Sequence, residues 1–325
     1  MAKYSDIKGF TVQTVSTDPA ASAIAGATWA SGGSLNTARN TGGRVGGGTQ
    51  TAAIIAGGNT PPNTAATERY DGSSWTEVND LNTARRSHTM GGGYTSALAV
   101  AGYITANTNV VESWDGSSWT EVAEVNTARR QLAMSTAGSN TAAVAFAGYS
   151  TAYVGIAENW NGSSWTETGD LNTPRSSLTS TDQSSTAALA IGGYRGPPTA
   201  DRTKFVEEWN GSAWTEIADI NNERMDMGCG GSYTDCVIFG GIDGPTAASP
   251  TNTEHWNGSS WTELAELSTG RYELAGTGSS PAALAIGGST GSIVGVTEEF
   301  TAPSVFSQIT EGQLYFNSTT NTFKE

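Results

Sequence analysis

Trp75-Thr76-Glu77-Val78-Asn79-Asp80-Leu81-Asn82-Thr83-Ala84-Arg85 decides how the rest of the chain is read. Close copies run from Trp119 to Arg129, Trp165 to Arg175, Trp214 to Arg224 and Trp261 to Arg271, and a weaker one from Trp29 to Arg39. In all six copies the Trp and the Arg are ten residues apart, and the Trp positions step by 46, 44, 46, 49 and 47 residues. A fixed period of this size marks a repeat architecture.

Working outward, each repeat has four parts. After the Arg comes a Gly-rich run such as Ser87–Gly93, then an apolar run such as Ala97–Gly102 or Ala187–Gly193. A variable loop leads to Glu-x-aromatic, at Glu68–Tyr70, Glu112–Trp114, Glu158–Trp160, Glu207–Trp209 and Glu254–Trp256. A turn of the type Asp-Gly-Ser-Ser or Asn-Gly-Ser-Ser, with Ala213 for the last Ser in one repeat, then leads into the Trp-Thr-Glu run. Asn-Gly and Asp-Gly favour hairpins because both residues tolerate positive φ. Short runs bounded by turn residues read as strands, so each repeat predicts four antiparallel strands. Low charge content (14%) and 41 Gly suit short strands better than long helices.

The paired Gly after an apolar strand, the aromatic before the turn, the Trp after it and the Arg that follows resemble the kelch repeat. The resemblance covers roughly residues 26–300 and implies an all-β fold, a β-propeller with one four-stranded sheet per blade. The Gly-His dipeptide of the other propeller repeat of this length is missing, and its Trp-Asp occurs once, at Trp114-Asp115, rather than in every repeat. Apolar strands ending at Gly58, Gly102, Gly148, Gly193, Gly241 and Gly288 give six blades. The last repeat lacks a Trp strand and the first Trp strand lacks its predecessors. The predicted fold is therefore a six-bladed kelch-like propeller closed by an N-terminal strand near Ala27–Ser31, paired with a strand near Ile293–Phe300. Closure removes exposed sheet edges. All ten Trp occupy repeat positions and read as packing within and between blades.

The ends depart from the repeat. Residues 1–25 read as an N-terminal arm, with Thr11–Ser16 a short strand, and 301–325 as a β-hairpin tail pairing Gly312–Asn317 with Asn321–Lys324. Both keep apolar side chains such as Phe10, Val12, Leu314 and Phe316, which a disordered tail would lack. They are expected to order together or against a neighbouring subunit and to serve for attachment. The tail Glu311-Gly312-Gln313-Leu314-Tyr315-Phe316-Asn317 resembles segments of bacteriophage virion proteins. The opening Ile7-Lys8-Gly9-Phe10-Thr11 and the near-uniform Asn-Gly-Ser-Ser-Trp-Thr-Glu and Leu-Asn-Thr-Ala-Arg blocks resemble kelch-like repeat proteins of marine phages. That resemblance implies a virion protein assembled in the host cytoplasm, with other virion proteins or a second copy as partners.

A net charge of −15 argues against nucleic acid as the main partner. The first ten residues hold no apolar run of signal-peptide length, and the longest apolar stretches, such as Ala282–Ile286, are too short to span a bilayer. No membrane insertion is expected. Cys229 and Cys236 flank Gly-Gly-Ser-Tyr-Thr-Asp and read as free buried thiols across a hairpin, with a disulfide as the alternative.

No catalytic set stands out. The only histidines are His88 and His255, and no His/Cys spacing suits zinc. No metal, cofactor or enzymatic role is predicted. Asn161-Gly-Ser, Asn210-Gly-Ser and Asn257-Gly-Ser match glycosylation sequons but fall at turn positions. Arg39, Arg85, Arg129, Arg175, Arg224 and Arg271 recur, as do Glu68, Glu112, Glu158, Glu207, Glu254 and Glu298. The sharp reading is an Arg ring capturing an anion at the channel mouth. The plainer one, preferred here, is one structural Arg–Glu contact per blade. Acids such as Glu77, Asp80, Glu121 and Glu124 read as a solvated rim.

Loops after the second strand vary most. From the final Gly to the aromatic is 12 residues in four repeats but 16 in the fourth and 15 in the fifth. Recognition usually resides in such loops. Candidate ligand-binding residues there are Tyr103, Tyr149, Tyr153 and Tyr194, with Arg195, Arg202 and Lys204 in the longest loop. Rings with flanking polar groups could stack on sugars; solubilising loop residues are the plainer reading. The function expected is a non-enzymatic virion interaction module, a fibre, decoration or host-contact protein, meeting a host surface protein or glycan. Alternatives are a lectin-like propeller of a cell and a kelch-type sugar-modifying enzyme.

Overall fold

The structure, a computed structural model, describes residues 27–40, 46–197, 201–244 and 248–302 in full. In the terminal segments it describes the backbone of Gln13–Val15, Tyr315–Asn317 and Thr322–Lys324 alone.

Residues 27–301 form a six-bladed β-propeller. Every blade is a four-stranded antiparallel sheet, and among the described residues no helix occurs. Blade 1 runs outward through Gly47–Thr49, Ala52–Ala56, Thr67–Tyr70 and Trp75–Val78. Blades 2 to 5 repeat this over 89–122, 133–168, 179–216 and 228–263. Blade 6 takes Ala275–Ser279, Ala282–Ile286 and Thr297–Thr301 from one end of the ring and Thr28–Ser31 from the other. The innermost strands pack in sequence around the axis, the sixth against the first, so the ring is closed.

The apolar second strands are buried on both faces because a neighbouring blade covers each side. Every hydrophobic cluster joins two blades. Ile54 and Ala56 of blade 1, for example, pack with Trp114 and Trp119 of blade 2. In five blades those strands stop short of the glycines that bound them in sequence, at Ala56, Phe146, Ile191, Phe239 and Ile286, while in blade 2 the strand runs on to Tyr103 across a register shift. The reason is backbone handedness. At the double-Gly position both residues take positive φ, as in Gly57 (66°) and Gly58 (112°), which ends the pleat. A Cβ on Gly102 would lie 2.8 Å from the Arg86 carbonyl oxygen, so only Gly fits there.

One aromatic pair closes the outer edge of each blade. An aromatic at or next to the end of the third strand is opposite the Trp of the outer strand: Tyr70–Trp75, Trp114–Trp119, Trp160–Trp165, Trp209–Trp214, Trp256–Trp261 and Phe300–Trp29. Ring centroids are 5.0 to 5.3 Å apart. In blades 1 to 5 the turn between the pair is held by its first side chain. Asp71 Oδ1 accepts from the Ser73 and Ser74 amides at 2.9 and 2.8 Å, and these bonds hold its pKa down at about 2.

A backbone belt links the blades on the side where the second and third strands connect. The Gln131 amide donates to Ser87 O, Ser177 to Gln131 O, Asp226 to Ser177 O and Glu273 to Asp226 O, at 2.8 to 3.0 Å. All five residues hold φ between 52° and 60°. Non-Gly residues seldom adopt this region, so its recurrence marks a position fixed by the ring rather than by local preference.

Residues 1–26 and 302–325 group into a second unit. Within it Gln13–Val15 runs parallel to Tyr315–Asn317, which pairs antiparallel with Thr322–Lys324. The remainder of the arm and tail lies outside the described residues.

Trp29 carries the closure. Its ring packs on Phe300 and on Phe239 of blade 5, and Nε1 donates to Thr253 Oγ1 at 3.0 Å. Replacing it by Ala should cost about 3 kcal/mol and lower the melting temperature by several degrees. Deleting residues 1–33 should lower it further, or cause aggregation through the bared Thr297–Thr301 edge. An unchanged calorimetric melt of the deleted chain would contradict closure by this strand.

Candidate functional site

Three polar arrangements stand out on the propeller. The first is the recurrent Arg–Glu set. Each glutamate sits on a third strand, and its arginine arrives on the segment that leaves the preceding blade. The pairs are Arg39–Glu68, Arg85–Glu112, Arg129–Glu158, Arg175–Glu207, Arg224–Glu254 and Arg271–Glu298, with side chains at most 2% exposed. The other carboxylate oxygen accepts a backbone amide from the arriving segment: Asn36, Asn82, Asn126, Asn172, Asn221 and Ser268, at 2.7 to 2.8 Å. Burial pulls the pKa of Arg39, Arg85, Arg129, Arg175 and Arg224 down, while the adjacent carboxylate pulls it back up. These guanidiniums are sealed from solvent and offer no surface to an anion.

The second is an axial cavity of about 290 Å³ where the inner strands turn back, on the face opposite the variable loops. Its walls are mostly glycine: Gly48, Gly92, Gly231 and Gly278 stand at one repeat position that Thr136 and Asp182 fill in blades 3 and 4. Asp182 reaches across two blades. It accepts from the Thr136 amide and hydroxyl, both at 2.7 Å, from the Gly92 amide at 3.1 Å and from its neighbour Gln183 at 3.0 Å. Burial raises its pKa against these bonds. With four donors satisfied within the protein, the carboxylate acts as a clasp.

The third lies on the variable-loop face. Tyr103, Tyr149 and Tyr194 each pair through the backbone with the residue after the repeat Arg: Arg86, Arg130 and Ser176. Tyr149, Tyr153 and Tyr194 form an edge-to-face row with centroids 5.1 and 5.6 Å apart. The Arg130 guanidinium lies over both Tyr149 and Tyr103, at 4.8 and 5.1 Å, and that of Arg86 over Tyr103 at 4.9 Å. Blade 1 and blade 2 each supply an Asn that braces the next blade. The Asn63 amide donates to Tyr103 O and Ile104 O, and the Asn107 amide to Tyr149 O and Ser150 O. Burial, then the neighbouring Tyr194, pushes the Tyr153 phenol up.

The four tyrosines are thus one row spanning blades 2 to 4, half-buried throughout. Arg195, Arg202 and Lys204 do not join it as free cations. Arg195 pairs with Asp201 and lies over Phe205. Arg202 donates to Gly244 O at 2.8 Å. Lys204 meets Asp219 at 3.6 Å and borders a separate polar hollow beside Asn221 and Asp243. Arg86 and Arg130 were missed by reasoning from the sequence, yet a signal existed. Only in these two repeats is the buried Arg followed by a second Arg.

Elsewhere, His88 is buried and its pKa is pushed down to about 3 by burial and by Arg85. His255 bonds Asp235 at 2.7 Å within blade 5. Cys229 and Cys236 are free and buried, set diagonally on their hairpin because Cys236 stands opposite Gly231. Among the described residues no group of three or more His, Cys, Asp or Glu could hold a metal ion. No family model matches the chain, and no curated protein matches it.

The Arg–Glu set makes a measurable demand on the fold. Glu112→Gln strands a buried guanidinium and should cost about 3–5 kcal/mol. Arg85→Met together with Glu112→Leu removes both charges and should cost much less. Chemical denaturation of the two variants beside the parent protein checks this, and equal losses would contradict an isolated buried pair.

Proposed function

We propose that this chain is a non-enzymatic interaction module of a phage particle, with a kelch-like propeller that recognises a host surface protein or glycan through its variable-loop face. One observation carries the reading. The Arg–Glu and aromatic pairs that hold the ring together recur in all six blades, whereas the Tyr–Arg row occupies three consecutive blades, so the row is not part of the common scaffold. Blades 1 and 6 carry Asn59 and Ser289 where the row has tyrosines.

The assignment to a virion rests on the phage-like sequences at both ends. The terminal unit is read as the attachment device to other virion proteins or to a second copy, leaving the propeller to face outward. It suits that role because its strands are drawn from both ends of the chain.

Two outcomes are expected. Particles purified from a lysate encoding this chain should contain its peptides by mass spectrometry, and a chain cut to residues 26–300 should no longer be incorporated. Particles rich in capsid peptides but without this chain would remove the virion reading. Separately, Tyr149→Ala with Tyr153→Ala should reduce adsorption of the labelled protein to host cells by roughly tenfold or more while the melting temperature shifts little. Undiminished adsorption would move recognition off this face.

A further inference from the structure

The tyrosine row suggests a stacking platform, but its rings are already engaged with one another and with guanidiniums. Tyr103 carries two guanidiniums, Tyr149 carries one, and Tyr153 packs edge-on to Tyr149 and Tyr194. What the row offers a ligand is polar. A guanidinium has five N–H donors. Arg86 gives Nη1 to Asn63 Oδ1 and Arg130 gives Nη1 to Asn107 Oδ1, both at 3.0 Å. Among the described residues neither meets a carboxylate, although acids outnumber bases 31 to 16 in the chain. The six buried arginines and Arg195 all do. No hydrogen bond among the described residues engages the phenol oxygens of Tyr103, Tyr149, Tyr153 or Tyr194.

We infer that this row binds an acidic saccharide of the uronic-acid type, its spaced carboxylates held by Arg86 and Arg130 and its hydroxyls by the phenols of Tyr149, Tyr153 and Tyr194. The inference rests on the reading of this face as the recognition face. Two guanidiniums on one ring create a local positive field on an acidic protein, and guanidinium–carboxylate contacts are strong and directional. The phenols that continue the row are uncharged and can donate or accept, which matches a hydroxyl-rich chain bearing spaced carboxylates. An acidic peptide fits less well. A peptide added as a strand needs free backbone groups. Here the backbones of Arg86 and Tyr103, of Arg130 and Tyr149, and of Ser176 and Tyr194 already bond each other in both directions.

The test is calorimetric titration of the full chain with oligogalacturonate, its methyl ester and polyglutamate. Oligogalacturonate should bind, more weakly as salt rises, and the ester and polyglutamate at least tenfold more weakly. Arg86→Gln with Arg130→Gln should abolish binding. Tyr149→Phe with Tyr153→Phe should weaken it severalfold while retaining both rings. If the arginine variant misfolds, the ester comparison and the phenylalanine pair decide. Equal binding of the ester would overturn the role of charge. Polyglutamate binding as tightly would point to a peptide, and no binding of oligogalacturonate would remove the ligand class. If that ligand fails while Tyr149→Ala with Tyr153→Ala still abolishes cell adsorption, the saccharide falls and the recognition face stands.

Discussion

A carboxylate buried between blades is the constraint on which this ring depends. Removing an ionised glutamate from water is costly, and the cost is recovered only with a well-placed cation and filled lone pairs. Each glutamate here finds both on the segment arriving from the preceding blade. Glu112 takes the Arg85 guanidinium and the Asn82 amide at once. A blade rotated or slid against its neighbour would lose all of these bonds together. The pair therefore fixes spacing between blades more than it adds net stability. Aromatic pairs and small apolar strands then fill the space that the pairs have defined.

This division of labour frees one face of the molecule. Staples, aromatic pairs and the backbone belt hold the ring without help from the loops that follow the second strands. Those loops can change in length, as in blades 4 and 5, or in chemistry, as in blades 2 to 4. The Asn63 and Asn107 braces show how a repeat position turns into a site. The same place is filled by Tyr153 one blade later, and a bracing amide gives way to an aromatic ring.

Period and turn chemistry made the propeller, its six blades and its closing strand readable from sequence, because each follows from local patterns repeated in register. The Arg–Glu recurrence was equally visible. Its geometry was not, since nothing local tells that Arg85 reaches a glutamate 27 residues onward in the next blade. The candidate site was only half legible. Tyrosines after the double-Gly position stood out, but their assembly into one row depends on neighbouring blades. Arg195 and Lys204 looked like partners because they are close in sequence, yet each is spent on a local acid. Asp182 was overlooked for a related reason. A lone carboxylate in a Gly/Thr position gains meaning only when the inner strands converge on the axis.

Blade 6 is assembled from both ends of the propeller, and this imposes an order in time. Thr28–Ser31 is the first strand of the propeller to be synthesised, and its partner Thr297–Thr301 is the last. At ordinary translation rates roughly 15–50 s separate them. Through that interval the early strand waits while five blades assemble, and sheet edges stay open. Pairing Trp29 with Phe300 is a contact of very long sequence separation, which makes closure slow. The same topology works in reverse once the ring is shut. No blade can leave until a neighbour has moved, so the closed propeller should persist through a high barrier to opening as much as through equilibrium stability.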